Sequence, residues 1–177
     1  MKKRFILYVL LSVILFLIGC ENIMNTPTNK VEDFFHKYQN LDKDVLMDLN
    51  RVLEKDISMN EEQKELYIGL LKKQYQNLSY KIKEETIIDN HSTIECEIEV
   101  LDYEQGIKRA RDYYNQWLME NSEENNDSKF LDMKLEEMGK IDNKIKYSLT
   151  ISLEKKEGMW EIENLSDVDR KKIHGLY

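Results

Sequence analysis

The apolar residues change period repeatedly along the chain. From residue 28 they recur at helical spacing, as Val31, Phe34, Phe35 and Tyr38 with Leu41 following, then as Val45, Leu46, Leu49, Val52 and Leu53. A third set, Leu66, Tyr67, Leu70, Leu71, Tyr75 and Leu78, follows Asn60-Glu61-Glu62-Gln63, which has the spacing of a capping box. Thr28 or Asn29, just after Pro27, and Asp42 or Asp44 stand where caps of the first two segments are expected. Three amphipathic helices are therefore predicted first.

The period then drops to two. Tyr80 and Ile82, with Thr86 and Ile88 beyond, alternate with Lys81 and Lys83. After the turn signal Asp89-Asn90-His91, Ile94, Cys96, Ile98 and Val100 alternate with Glu95, Glu97 and Glu99. This reads as a hairpin with one dry and one wet face. Lys81 and Lys83 oppose the glutamate row, a charge match worth roughly a few tenths of a kcal/mol per pair. Helical spacing returns from Tyr103 through Ile107, Ala110, Tyr114, Trp117 and Leu118. The polar stretch 121–129 reads as a loop, and Phe130, Leu131, Leu135 and Met138 as a short helix ending near Gly139. A second hairpin follows: Ile145, Tyr147, Leu149, Ile151 and Leu153 alternate, Glu157-Gly158 turns the chain, and Trp160 and Ile162 alternate on the way back. Ser166-Asp167-Val168-Asp169 opens a short final helix, with Arg170, Lys171 and Lys172 toward its negative end and Gly175 as its stop. Helices, hairpin, helices, hairpin, helix predict an α+β domain over 28–177. Its N-terminal helices pack on a four-stranded antiparallel sheet.

The length of 177 residues suits one such domain, and no internal repeat is visible. Charge changes the picture at the N-terminus. Lys2, Lys3 and Arg4 precede an apolar run over 5–18 that is short for a spanning helix, which needs roughly 20 apolar residues. The run closes in Leu17-Ile18-Gly19-Cys20. A small residue directly before cysteine at the end of such a run resembles the lipobox of bacterial lipoproteins. The resemblance implies a signal peptide over 1–19, cut between Gly19 and Cys20. It also implies acyl chains such as palmitate on Cys20, and a lipid anchor on the extracytoplasmic face of the cell membrane. Residues 20–27 would be the tether. Removing the first nineteen residues leaves 34 acidic against 23 basic side chains, a net charge of −11. Cys96 is then the one remaining thiol, so no internal disulfide is available. Such an acidic chain, with no basic cluster longer than Arg170-Lys171-Lys172, argues against nucleic acid or an anionic lipid surface as partner.

Catalytic and metal chemistry find little footing. His36, His91 and His174 are far apart and no paired-cysteine spacing exists, so no metal site is expected. Asp42-Lys43-Asp44 and the acidic 122–127 stretch lack the periodicity and glycine of a calcium loop. No serine sits in a nucleophile elbow, and Cys96, between Glu95 and Glu97 on an apolar strand face, reads as a structural cysteine. The expected inward sheet positions carry no carboxylate or histidine that burial could tune into a base. Tyr114, Trp117, Tyr147 and Trp160, with Tyr113, Met133, Met138 and Met159 nearby in the pattern, either line an apolar pocket or fill the core.

The element order, with Tyr75-Gln76-Asn77-Leu78-Ser79-Tyr80-Lys81-Ile82 and Gly158-Met159-Trp160-Glu161-Ile162, resembles small Gram-positive lipoproteins whose domain is NTF2-like or cystatin-like. Two functions follow as expectations. One is a non-enzymatic, lipid-anchored domain that binds a protein partner or a small apolar ligand and needs no cofactor. The other is an extracytoplasmic enzyme using a helix-borne carboxylate, Glu104 or Asp112, beside the aromatic cluster.

Overall fold

Pro27 takes the first position of the first helix, α1 (Pro27–Gln39), and Thr26 caps it by accepting from the Asn29 N–H at 3.1 Å. The cap therefore lies before the proline and not at Thr28 or Asn29. Proline lacks an N–H and has φ preset near the helical value, so it fits the first turn, where that donor has no partner anyway. The computed structural model describes residues 25–54, 58–121 and 126–177. The apolar run, Gly19, Cys20 and most of the tether lie outside the described residues.

Helix α2 (Lys43–Glu54) follows, and then α3 (Glu61–Asn77). At the start of α3 the expected capping box is closed: Asn60 accepts from the Gln63 N–H at 2.9 Å and Gln63 accepts from the Asn60 N–H at 3.0 Å. Strands β1 (Ser79–Ile88) and β2 (His91–Leu101) form the first hairpin, and β3 (Lys144–Lys156) and β4 (Met159–Ile162) the second. They lie in one antiparallel sheet in the order β1-β2-β3-β4. Glu157 and Gly158 both have positive φ, as a two-residue type I′ turn requires, and its twist matches that of the strands it joins.

Between β2 and β3 the chain makes α4 (Tyr103–Asn121) and α5 (Asp127–Gly139). The polar stretch read as a loop over 121–129 is shorter than that. Asn126 accepts from the Lys129 N–H and starts α5, while residues 122–125 lie outside the described residues. A short α6 (Asp167–Ile173), capped by Ser166, closes the chain.

Register puts the expected inward residues on one face. Ile82 stands opposite Cys96 and Cys96 opposite Leu149; Ile98 meets Tyr147 and Ile94 meets Ile151. With Val31 and Phe35 of α1 and Ile173 of α6 they form the main core. The other face is polar, where Lys83 and Lys146 reach Glu97 at 3.4 and 3.3 Å. Alternation fails only in outer β1. A bulge between Ile82 and Glu84 shifts the pairing, and both Ile87 and Ile88 end more than half exposed. On the far side of α3, Leu101, Tyr103, Met138 and Ile141 form a second cluster with Tyr67 and Leu70, which fastens α5 to α3.

Candidate functional site

The helices do not close completely over one another. Amphipathic α2 lays Leu49 and Leu53 against Leu71 and Tyr75 of α3, and an open groove of about 570 Å³ remains between α2 and the layer formed by α1, α3 and α6. Ligand sites commonly fall at about 300–1,000 Å³. One wall is apolar, made by Val45, Leu49 and Leu53 of α2 with Leu71 and Tyr67 of α3. The opposite wall carries polar tips: Lys37 and Tyr38 from α1, Arg170 from α6 and His174 at its C-cap.

Tyr38 and His174 of this wall meet Tyr75 of α3. The Tyr38 and Tyr75 rings meet edge to face at 4.8 Å, and the Tyr75 hydroxyl lies 3.2 Å from His174 Nδ1. Burial pushes the Tyr75 phenol far above its ordinary range, with Tyr38 and Tyr67 adding to it. Burial also pulls His174 down to about 4, helped by the positive charge of Arg170. At neutral pH this patch is therefore uncharged yet able to give and take hydrogen bonds. At the mouth, Arg51 and Asp48 pair at 2.9 Å, both well exposed.

The aromatic residues singled out in the sequence lie elsewhere and do not converge. Tyr114 and Trp117 stack on α4 with centroids 5.8 Å apart, Phe130 of α5 lies 5.4 Å from Tyr114, and the Tyr114 hydroxyl accepts from the Asn126 N–H at 2.6 Å. Trp160 is buried in the main core, and its backbone N–H donates to Asn25 Oδ1 at 3.2 Å. Tyr147 packs against that same core and donates its hydroxyl to the Tyr177 carbonyl at 2.6 Å. Met138 is fully buried in the α3–α5 cluster, whereas Tyr113 and Met159 are half exposed. None of these residues lines the groove.

The carboxylates considered as bases are also apart from it. Asp112 is exposed, and Glu104, partly buried, lies 4.0 Å from Lys108. Glu137 is buried, but it accepts from Lys140 at 2.6 Å and sits 3.3 Å from Arg109 Nε, so two cations hold it. Cys96 is buried on β2, its thiol pushed up to about 12 chiefly by burial, with Asp169 adding to it. Among the described residues no group of three histidine, cysteine or acidic side chains is placed to hold a metal ion.

Sequence reading missed the groove because its apolar and aromatic residues on α1, α2 and α3 each had a role in a helix stripe. Tyr38 and Tyr75 counted as core positions and His174 as an isolated histidine. The available signal was a polar-tipped side chain recurring within otherwise apolar stripes.

No family model matches the chain, and no curated protein does. Among solved structures, ycdA from Bacillus subtilis subsp. subtilis str. 168, described as a candidate lipoprotein, aligns with a TM-score of 0.45 at 15 % identity. The alignment covers 66 % of this chain and 38 % of that one. A likeness this slight carries neither fold nor function from one to the other. Among the described residues no helix is long and apolar enough to cross a membrane.

Proposed function

We infer that this chain is an extracytoplasmic domain, tethered to the membrane by lipid on Cys20, that binds a small apolar ligand in the groove under α2. The observation that carries the reading is the groove itself, about 570 Å³ and open at its mouth, with the buried Leu49, Leu53 and Leu71 among its apolar lining. Binding without chemistry is supported by the inner sheet face, where Ile94, Cys96, Ile98, Leu149 and Ile151 offer no acid or base. The anchor rests on Gly19-Cys20 at the end of the apolar run. Two or more acyl chains, at about 0.8 kcal/mol per buried methylene, would hold the domain at the membrane without a spanning helix. The order of helices and hairpins supports an NTF2-like or cystatin-like reading of the domain.

Two measurements test this. Cells given a tagged palmitate should label the wild-type protein and not Cys20→Ala, which should also leave the membrane fraction; label retained on Cys20→Ala overturns the anchor. The neutral fluorescent probe N-phenyl-1-naphthylamine should brighten on binding the purified protein, and Val45→Trp, which fills the groove, should abolish the signal. No signal from the wild type overturns the ligand-binding reading.

A further inference from the structure

Asn25 is fixed against the tips of the sheet. Its side-chain amide donates to the Gly158 carbonyl at 2.8 Å, and its side-chain carbonyl accepts from the Trp160 backbone N–H, which pins it to the β3–β4 turn. Three residues on, the Thr28 hydroxyl donates to the Glu85 carboxylate of β1. The β1–β2 turn lies at the same end, where the Asn90 carbonyl accepts from the Lys155 N–H at 2.7 Å. Both hairpin turns and the start of α1 therefore share one end of the sheet.

That end carries two bare isoleucines. Ile87 and Ile88 are 52 % and 67 % exposed, and among the described residues no other exposed large apolar side chains are neighbours in the chain. Ile87 stands opposite the buried Ser92 on the helix-covered face, but α1 meets β1 at Glu85, two residues short of it. Ile88 stands opposite His91 on the polar face, and half-exposed Met159 follows the other turn. Charge offers this end little: Asp89 and Glu157 sit in the turns, and Lys156 is held by Glu154 at 3.1 Å. Adjacent isoleucines bare to water on an edge strand invite association unless something covers them. Five residues separate Cys20 from Asn25, and they span at most ~18 Å when fully extended. The thirteen residues of β3 are about 40 Å long, so the far end of the sheet lies beyond that reach.

We propose that the two hairpin tips rest on the bilayer that holds the Cys20 anchor, with Ile87, Ile88 and Met159 seated among its head groups and upper acyl chains. This rests on the lipid-anchor reading above and adds how the domain stands on the membrane. A short tether keeps the tips at the surface at an effective concentration of about millimolar, so shallow apolar contact suffices without a basic patch. The same stance turns the C-terminal end of α1 away from the bilayer, where Gln39 donates to the Leu78 carbonyl just before β1. The Tyr38 side of the groove goes with it.

The test uses the full chain, carried on its Cys20 lipid in phosphatidylcholine vesicles, with an NBD fluorophore on one introduced cysteine; Cys96 is buried and takes no label. NBD on Ile88→Cys or Met159→Cys should shift to the blue and lose most of its emission to spin-labelled lipid. On Lys81→Cys, exposed on the same strand and roughly 20 Å from Ile88, it should do neither. Ile87→Asp with Ile88→Asp should release the tips and relieve the quenching at Met159→Cys while the melting temperature holds. Emission from Ile88→Cys that stays as in water, with Cys20 acylated, overturns the proposal and leaves the anchor standing. Equal quenching at Lys81→Cys overturns the end-on stance, and quenching that survives the double aspartate change overturns the role of the isoleucines. A chain isolated without acyl groups on Cys20 overturns the anchor and the proposal together.

Discussion

Gln74 holds Leu101 by both of its backbone groups. From the last turn of α3, its side-chain carbonyl accepts from the Leu101 N–H at 2.8 Å, and its amide donates to the Leu101 carbonyl at 3.1 Å. Gln74 is completely buried, and this pair ties the third helix to the end of β2, where the chain leaves the sheet. An amide side chain here imitates the next strand of a ladder and satisfies groups beyond the reach of β1, whose pairing with β2 ends at Ser79 and Glu99. Gln74→Leu leaves both Leu101 groups buried without partners, each at about 1–3 kcal/mol. The expected loss is about 2–4 kcal/mol in urea denaturation, whereas Gln76→Leu, one turn-face away and exposed, should change stability by less than about 0.5 kcal/mol.

Gly175 closes over the same place. It has φ +70, its carbonyl accepts from the Glu104 N–H at 2.8 Å, and a Cβ there would overlap the Leu101 carbonyl oxygen and Gln74 Nε2. Gly175→Ala should lower stability by about 2 kcal/mol or more, from left-handed strain and loss of the clamp together. Gly69 on α3 has nothing within 4 Å of the corresponding position. There, alanine should raise stability by about 0.5–1 kcal/mol, because it removes a flexible residue from a helix interior. Opposite signs in thermal melts check both.

His174 predicts a pH dependence of definite sign. Its unfolded imidazole takes a proton near 6.5, and its folded one, held down by burial and then by Arg170, only near 4. Between those values the unfolded state binds more protons, so stability is complete above pH 6.5 and falls as the pH drops toward 4. The loss attributable to this one group is on the order of 2–3 kcal/mol. Thermal melts of the wild type and His174→Gln at pH 7, 5.5 and 4 should converge at low pH. Parallel curves would show that His174 carries none of the dependence. The Tyr75 hydroxyl, 3.2 Å away, and Arg170 are the groups against which the imidazolium would have to form.

Most of the framework was legible in the order of residues. Alternation in β2 and β3 placed Ile94, Cys96, Ile98, Leu149 and Ile151 on one face because a strand exposes its sides with a period of two and only one side is covered by helices. Asn60 and Gln63 announced the start of α3 because capping is a local contact within four residues. The cap of α1 and the parity of outer β1 were misread for local reasons too: Pro27 admits a cap before it, and a single bulge after Ile82 reverses every later side chain. The net charge, the single remaining thiol and the lipobox-like end of the apolar run also belong to the sequence alone.

The groove does not. Tyr38, Leu49, Tyr75 and His174 come from four separate helical segments, and nothing in their spacing states how far α2 stands from its neighbours. An apolar stripe specifies that a helix face is to be covered, through a hydrophobic effect that has no direction. Which helix covers it, and how completely, depends on packing across the whole layer. The same limit separated Tyr114, Trp117, Tyr147 and Trp160, a grouping drawn from the spacing pattern: the first two meet Phe130 between α4 and α5, and the last two belong to the core on the sheet. Periodicity determined which faces turn inward, and tertiary packing alone decided where they fail to meet.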